Sequence, residues 1–279
     1  MKLHSIHAGM FKLDGGAMFG VVPKSMWNKL NPADANNMCS WAMRCLLIED
    51  GNRLILIDNG MGNKQDEKFF GHYYLHGDFT LEKSLAEKGF QKDDITDVFL
   101  THLHFDHCGG SIIRNSSSGL FAPAFKNAVY WSHSKHWDWA VKPNAREKAS
   151  FLKENIFPIQ ESGQLKFYDL ENNLPAYFNA EVVCGHTESM MLPLINYKDY
   201  KILFVADLFP SAAHIPLPFI MAYDTRPLLT LNEKEQILSN AVSHNTILFF
   251  EHDPHIECSS LVMTEKGVRP NDSFNLNIL

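Results

Sequence analysis

The sequence predicts an α/β protein in which two mixed sheets pack face to face with helices outside, a four-layer αββα sandwich. Three observations point there. Short apolar runs of strand length occur in both halves of the chain, and helical stretches interrupt them rather than following them. The second half repeats the strand-turn-strand theme of the first. No Ser/Gly-rich linker or low-complexity stretch separates the halves, so residues 1–279 read as a single domain, with residues 1–40 as an N-terminal segment that could cover a functional site.

Taken in order, Cys45–Ile48 and Leu54–Ile57 read as a hairpin of buried strands, turned through Asp50-Gly51. Thr80 to Lys88 reads as a helix, with Leu81 and Leu85 on one face and Gly89 stopping it. Ile95 to Leu100 is a strand. In the second half Glu181-Val182-Val183 is a strand leading to His186, and Met190 to Asn196 pairs with Lys201 to Ala206 through Lys198-Asp199. Thr230-Leu231-Asn232-Glu233 has the form of a capping box opening a helix that carries Ile237, Leu238 and Ala241. Thr246 to Phe250 is the last buried strand, ending at Glu251-His252-Asp253.

Composition narrows the class. Apolar residues make up 45% and charged residues 20%, as in ordinary globular proteins. The net charge of -7, without a dense Lys/Arg stretch, argues against a nucleic-acid partner. No apolar run reaches membrane-spanning length, and the N-terminus lacks the apolar core of a signal peptide. Five cysteines without a CxxC pair suit a reducing compartment, so the expected location is cytoplasmic.

The strand ending at Leu100 runs directly into Thr101-His102-Leu103-His104-Phe105-Asp106-His107. Residues i and i+2 of an extended segment point the same way, so His102 and His104 can reach one ion. Gly109-Gly110 lets the chain turn, and Asp106 with His107 can face a neighbouring ion. Imidazole and carboxylate are donors expected of zinc and related divalent metals. Four such residues in six, straight after a buried strand, mark a metal site.

This run, with Ile57-Asp58-Asn59-Gly60 upstream and Gly185-His186-Thr187, Ala206-Asp207 and Glu251-His252-Asp253 downstream, resembles the metallo-β-lactamase superfamily along nearly the whole chain. The resemblance implies that fold and two divalent metal ions, zinc first, with iron, manganese or cobalt served by the same donors. It implies that His102, His104 and His186 hold one ion, that Asp106, His107 and His252 hold the other, and that Asp207 bridges them. Asp58, and less distinctively Thr101, would support a ligand histidine from behind. Two ions about 3.5–4 Å apart can deprotonate the water between them near neutral pH. Asp106 could then carry a proton to the leaving group. Cys108 and Cys184 read as small packed thiols.

Residue chemistry demotes several branches of the superfamily. Di-iron oxidoreductases usually carry Glu where His104 stands, and true β-lactamases lack the bridging carboxylate of Asp207. Beyond His252 only Lys266 and Arg269 could grip glutathione, and no basic RNA-binding arm is visible. Gly15 to Gly20, Pro23 to Trp27 and Asp207 to His214 resemble the group of N-acyl homoserine lactonases and methyl parathion hydrolase-like enzymes. The resulting expectation is a hydrolase that uses a metal-bridging hydroxide to open a lactone or a similar small-molecule ester. A phosphotriesterase or arylesterase of the methyl parathion hydrolase type is the alternative, and a non-catalytic metal-containing binding protein the alternative of another class. The resemblance is also compatible with a homodimer. Met18, Phe19, Trp27, Phe209 and Phe219 could wall an apolar substrate pocket or be ordinary core. The lactonases place Tyr where Pro210 stands, which leaves His214 or Tyr223 to support the substrate oxygen.

Overall fold

Strands Met38–Asp50 and Arg53–Ile57 pair antiparallel, with Leu46 opposite Ile57 and Asp50 opposite Arg53. The turn is therefore Gly51-Asn52, one residue later than Asp50-Gly51. Gly51, at φ +58°, supplies the left-handed conformation that a tight hairpin needs. In this computed structural model residues 1–115, 117–171 and 173–279 are described. The chain divides into two compact units, Met1–Gly9 with Met43–Leu174, and Met10–Ala42 with Pro175–Leu279. Residues 10–40 thus group with the C-terminal part of the chain.

One six-stranded sheet runs in the order Lys2–Asp14, Met38–Asp50, Arg53–Ile57, Asp97–Phe99, Val129–Ser132, Leu165–Phe167. From Arg53–Ile57 onward its pairings are parallel. Strands in such a sheet are buried on both faces, and Leu56, Ile57, Val98 and Phe99 are all fully buried. Asp97 is the exception in sequence. Its carboxylate accepts a fork from Arg53 (Nε and Nη2, both 2.8 Å), Trp131 Nε1 at 2.8 Å and Thr96 Oγ1 at 2.7 Å, tying three adjacent strands together. Burial by itself would raise the pKa of Asp97, but these donors outweigh it and hold the group below the usual carboxylate range.

The helix expected at Thr80 forms over Leu81–Glu87. Thr80 Oγ1 accepts from the Lys83 amide at 3.2 Å, and Gly89 follows at φ +86°.

The second six-stranded sheet runs in the order Gly267–Phe274, Cys258–Thr264, Thr246–Phe249, Tyr200–Phe204, Met190–Tyr197, Phe178–Val183. Only the Tyr200–Phe204 and Thr246–Phe249 pair is parallel. The expected hairpin closes through Lys198-Asp199, with Tyr197 opposite Tyr200 and Lys198 at φ +52°. The capping-box expectation fails. The helix spans Pro227–Ser243, and Pro227 starts it because a missing N–H is harmless in the first turn. Thr230 lies inside, its hydroxyl 3.4 Å from the Arg226 carbonyl. Glu233 instead accepts from the backbone amides of Cys184 (2.7 Å) and Gly185 (2.9 Å). Among the described residues no helix is long and apolar enough to cross a membrane.

Candidate metal centre

In the first unit the metal run starts where Asp97–Phe99 ends. His102 and His104 follow the end of that strand, His104 with extended backbone, and a short helix, Phe105–Cys108, carries Asp106 and His107. Gly109 is required by close approach, since a Cβ there would lie 2.2 Å from the Met61 carbonyl oxygen. The donor atoms of His102 and His104 lie within 4.8 Å of each other, as do those of Asp106 and His107.

The hydrogen bonds behind these rings assign their protons. Asp58 accepts from the Thr101 amide (2.8 Å), the Thr101 hydroxyl (2.6 Å) and His107 Nδ1 (3.0 Å). Because the Thr101 hydroxyl gives its proton to Asp58, it can only accept from His102 Nδ1, 3.0 Å away. Both histidines therefore carry the proton on Nδ1 and present a bare Nε2, the tautomer a metal needs. Asp58 holds this position at φ +54°, a strained conformation for a residue with a side chain. His102 Nε2 and His104 Nδ1 stand 3.1 Å apart, and His104 Nε2 is 3.8 Å from Glu147 Oε1. Two nitrogens on one tetrahedral ion would be about 3.3 Å apart, so the pair fits a shared divalent ion. His136 adds a support that sequence reasoning passed over, its Nε2 accepting from the Leu103 amide at 2.8 Å.

In the second unit the predicted ligands follow three strands: His186 after Phe178–Val183, Asp207 after Tyr200–Phe204, and His252 after Thr246–Phe249. Ala206, at φ +39°, turns the chain so that Asp207 faces inward. Asp207 has one carboxylate oxygen 3.2 Å from His186 Nε2 and the other 3.1 Å from His252 Nε2. His186 Nδ1 donates to Asp224 at 2.9 Å, and His252 Nδ1 donates to the Ala42 carbonyl at 2.7 Å. A carbonyl can only accept, so the proton of His252 sits on Nδ1 and its Nε2 is bare. Asp224 was missed in the sequence, where nothing but its residue type marked it. The donor sets of both units thus fit divalent ions held by imidazole and carboxylate.

Other expectations change. His214 is not available to a substrate. Its Nδ1 bonds Ser211 Oγ at 2.8 Å, its Nε2 bonds the Met18 carbonyl at 2.9 Å, and its ring is 1% exposed. Burial pushes its pKa down to about 3, so it is a neutral packing group. Phe19 lies flat between Trp27 (centroids 5.2 Å, 8°) and His214 (4.6 Å, 5°). Met18, Phe19, Trp27 and Phe209 are all at most 2% exposed, so they are buried side chains rather than an open wall. Gly15 makes room for it, since a Cβ there would sit 2.4 Å from the Trp27 ring. Of the five aromatic and Met candidates only Phe219 retains partial exposure. Tyr223 is 40% exposed, and the Pro210 carbonyl accepts the His252 amide at 3.1 Å.

Comparison with known proteins agrees with this geometry. The chain is 29% identical to the N-acyl homoserine lactonase AiiA of Bacillus thuringiensis subsp. kurstaki, over 95% of this chain and 98% of that protein. A structure described as a probable metal-dependent hydrolase from Staphylococcus aureus superposes with a TM-score of 0.88 at 26% identity, covering 98% of this chain and 96% of the other. AidC, a dizinc quorum-quenching lactonase, superposes with a TM-score of 0.80 at 24% identity, covering 98% and 95%. The model of the metallo-β-lactamase superfamily matches residues 44–252. That span opens within the strand Met38–Asp50 and closes on His252, the last of the ligand-type residues described above, and the chain belongs to that superfamily, with its two large mixed sheets and αββα fold.

Proposed function

We propose that the chain is a binuclear metal-dependent hydrolase that opens a lactone or cleaves a similar carboxylic ester with an apolar acyl or aryl group. The observation that carries this reading is the carboxylate of Asp207, each of whose oxygens faces a different histidine. That is the arrangement of a carboxylate shared by two ions. His102, His104 and His186 would hold one ion, and Asp106, His107 and His252 the second. Such ions, when bound, polarise a substrate oxygen and make water a nucleophile near neutral pH. Zinc fits the donors, and the 29% identity to a lactonase supports the substrate class.

The chain's own residues have separate tasks in this reading. Asp58, Thr101 and Asp224 fix the ring orientations and tautomers of three histidines. Asp106, 8% exposed and 3.8 Å from His107 Nε2, would be the carboxylate that carries a proton to the leaving alkoxide. Tyr223, 40% exposed in the stretch after Asp207, is the candidate donor to the substrate carbonyl in place of the absent Tyr at 210.

The test is a substrate panel on protein of measured metal content. Acyl homoserine lactones of graded chain length should be turned over, with activity lost on chelation and restored by zinc. Good activity on an organophosphate triester without lactone turnover would move the assignment to a phosphotriesterase.

A further inference from the structure

Lys234 is a buried lysine with no exposed surface, placed on the helix Pro227–Ser243 beside Glu233. Its ammonium donates to the backbone carbonyls of His214 (2.7 Å), Phe219 (2.8 Å), Pro216 (3.2 Å) and Leu217 (3.5 Å), and lies 5.4 Å from the centre of the Phe209 ring. Four carbonyls converging within six residues of chain cannot bond one another, since each is only an acceptor. A single cation draws them together, its three N–H groups serving the three nearer carbonyls and its charge attracting that of Leu217 at 3.5 Å, and the Phe209 ring face adds to its attraction. Burial draws the Lys234 pKa down to about 7, while the nearby Asp224 pulls it upward.

The caged segment has a defined place in the chain. It follows Asp207, and it is tied down at Ala212, whose amide bonds Asp253 at 3.0 Å, and at Ala222, whose amide bonds the Ala17 carbonyl at 2.8 Å. Between those ties the His214 ring bonds Ser211 and the Met18 carbonyl, the Phe219 amide bonds the Pro216 carbonyl at 3.0 Å, and Lys234 gathers four carbonyls of residues 214–219 onto one buried cation. This stretch carries Phe219, the one pocket candidate with exposed surface.

We infer that Lys234 is a positioning residue for substrate selection: by gathering the carbonyls of residues 214–219 it holds Phe219 where the acyl group of the substrate is read. This rests on the ester-hydrolase reading above, and the test separates the two. Hydrogen exchange across residues 211–221 is compared in the wild type and Lys234→Met, which keeps chain length and loses every donor. Exchange should rise about tenfold or more in that segment and stay unchanged in the two sheets. Metal content should not change. For esters with long acyl chains KM should rise so that kcat/KM falls about a hundredfold, while kcat on a short acetate ester is kept.

Equal exchange in both proteins overturns the inference, and so does an equal loss on short and long substrates, which would mark a general structural role. If the wild type turns over no ester at all, the functional reading fails and the exchange arm still judges the cage. Lys234→Ala with added propylammonium provides the control. Recovery with propylammonium and not with propanol is expected, whereas equal recovery with both would mean that volume, not the cation, holds the segment.

Discussion

The two units supply ligand-type side chains in opposite ways. The first concentrates four of them in one strand-end turn, and a single carboxylate, Asp58, fixes two rings, His107 directly and His102 through Thr101. The second spreads three over the ends of three strands, and each histidine has its own holder, Asp224 for His186 and the Ala42 carbonyl for His252. A concentrated set depends on one polar node. A distributed set depends on the register of a sheet, which many residues share.

That difference orders the expected effects of substitution. Asp207→Ala removes the carboxylate that faces two histidines, and it should abolish hydrolysis and lower the metal content measured by elemental analysis. Asp58→Ala should weaken metal affinity by about the hundredfold at the upper end for a supporting residue, because two rings lose their orientation together. Asp224→Ala frees only one ring and should sit nearer tenfold in the same chelator competition. Equal losses in these two variants would break the contrast between shared and separate holders.

Asp97→Ala probes the scaffold behind the concentrated set. It leaves the half-buried Arg53 and the Trp131 N–H without their acceptor, and should lower unfolding free energy by about 2–4 kcal/mol at neutral pH. The folded pKa of Asp97 is depressed, so its stabilisation is present above the unfolded value near 4 and is lost as pH falls through the folded value. The gap between wild type and variant in denaturant titrations should therefore narrow below about pH 4. The smallest effect is expected for His214→Phe, where the stack on Phe19 survives. Stability should fall by about 1–3 kcal/mol for two unmatched polar partners, and kcat should stay close to the wild type. A large loss of kcat with normal metal content would return His214 to the chemistry.

The contrast also explains what could be read in the sequence. The run from His102 to His107 is legible because its members are neighbours, and period-2 geometry alone suggests a common ion for the first two. His186, Asp207 and His252 carry no such spacing, and only their order behind predicted strands and the family resemblance singled them out. Asp224 was invisible because a holder needs no fixed distance from its histidine in the chain. The capping box at Thr230 misled for a related reason, since Glu233 has the right type and spacing for a cap but its carboxylate is taken by a loop 48 residues away. The stack of Phe19, Trp27 and His214 shows the same limit in reverse, because aromatic side chains suit a pocket wall and a core equally well until burial decides.

His252 is a ligand-type residue whose amide, carbonyl and ring Nδ1 are all held by main-chain partners. Its amide bonds the Pro210 carbonyl, its carbonyl accepts from the Ala42 amide, and its ring bonds the Ala42 carbonyl. Any residue but proline at 42 offers the same amide and carbonyl, so drift in side-chain identity at positions 42 and 210 is tolerated as far as this grip is concerned. A relative could therefore change both residues and keep the histidine in place. Coupled substitutions, the usual trace of a functional contact, would leave no record here.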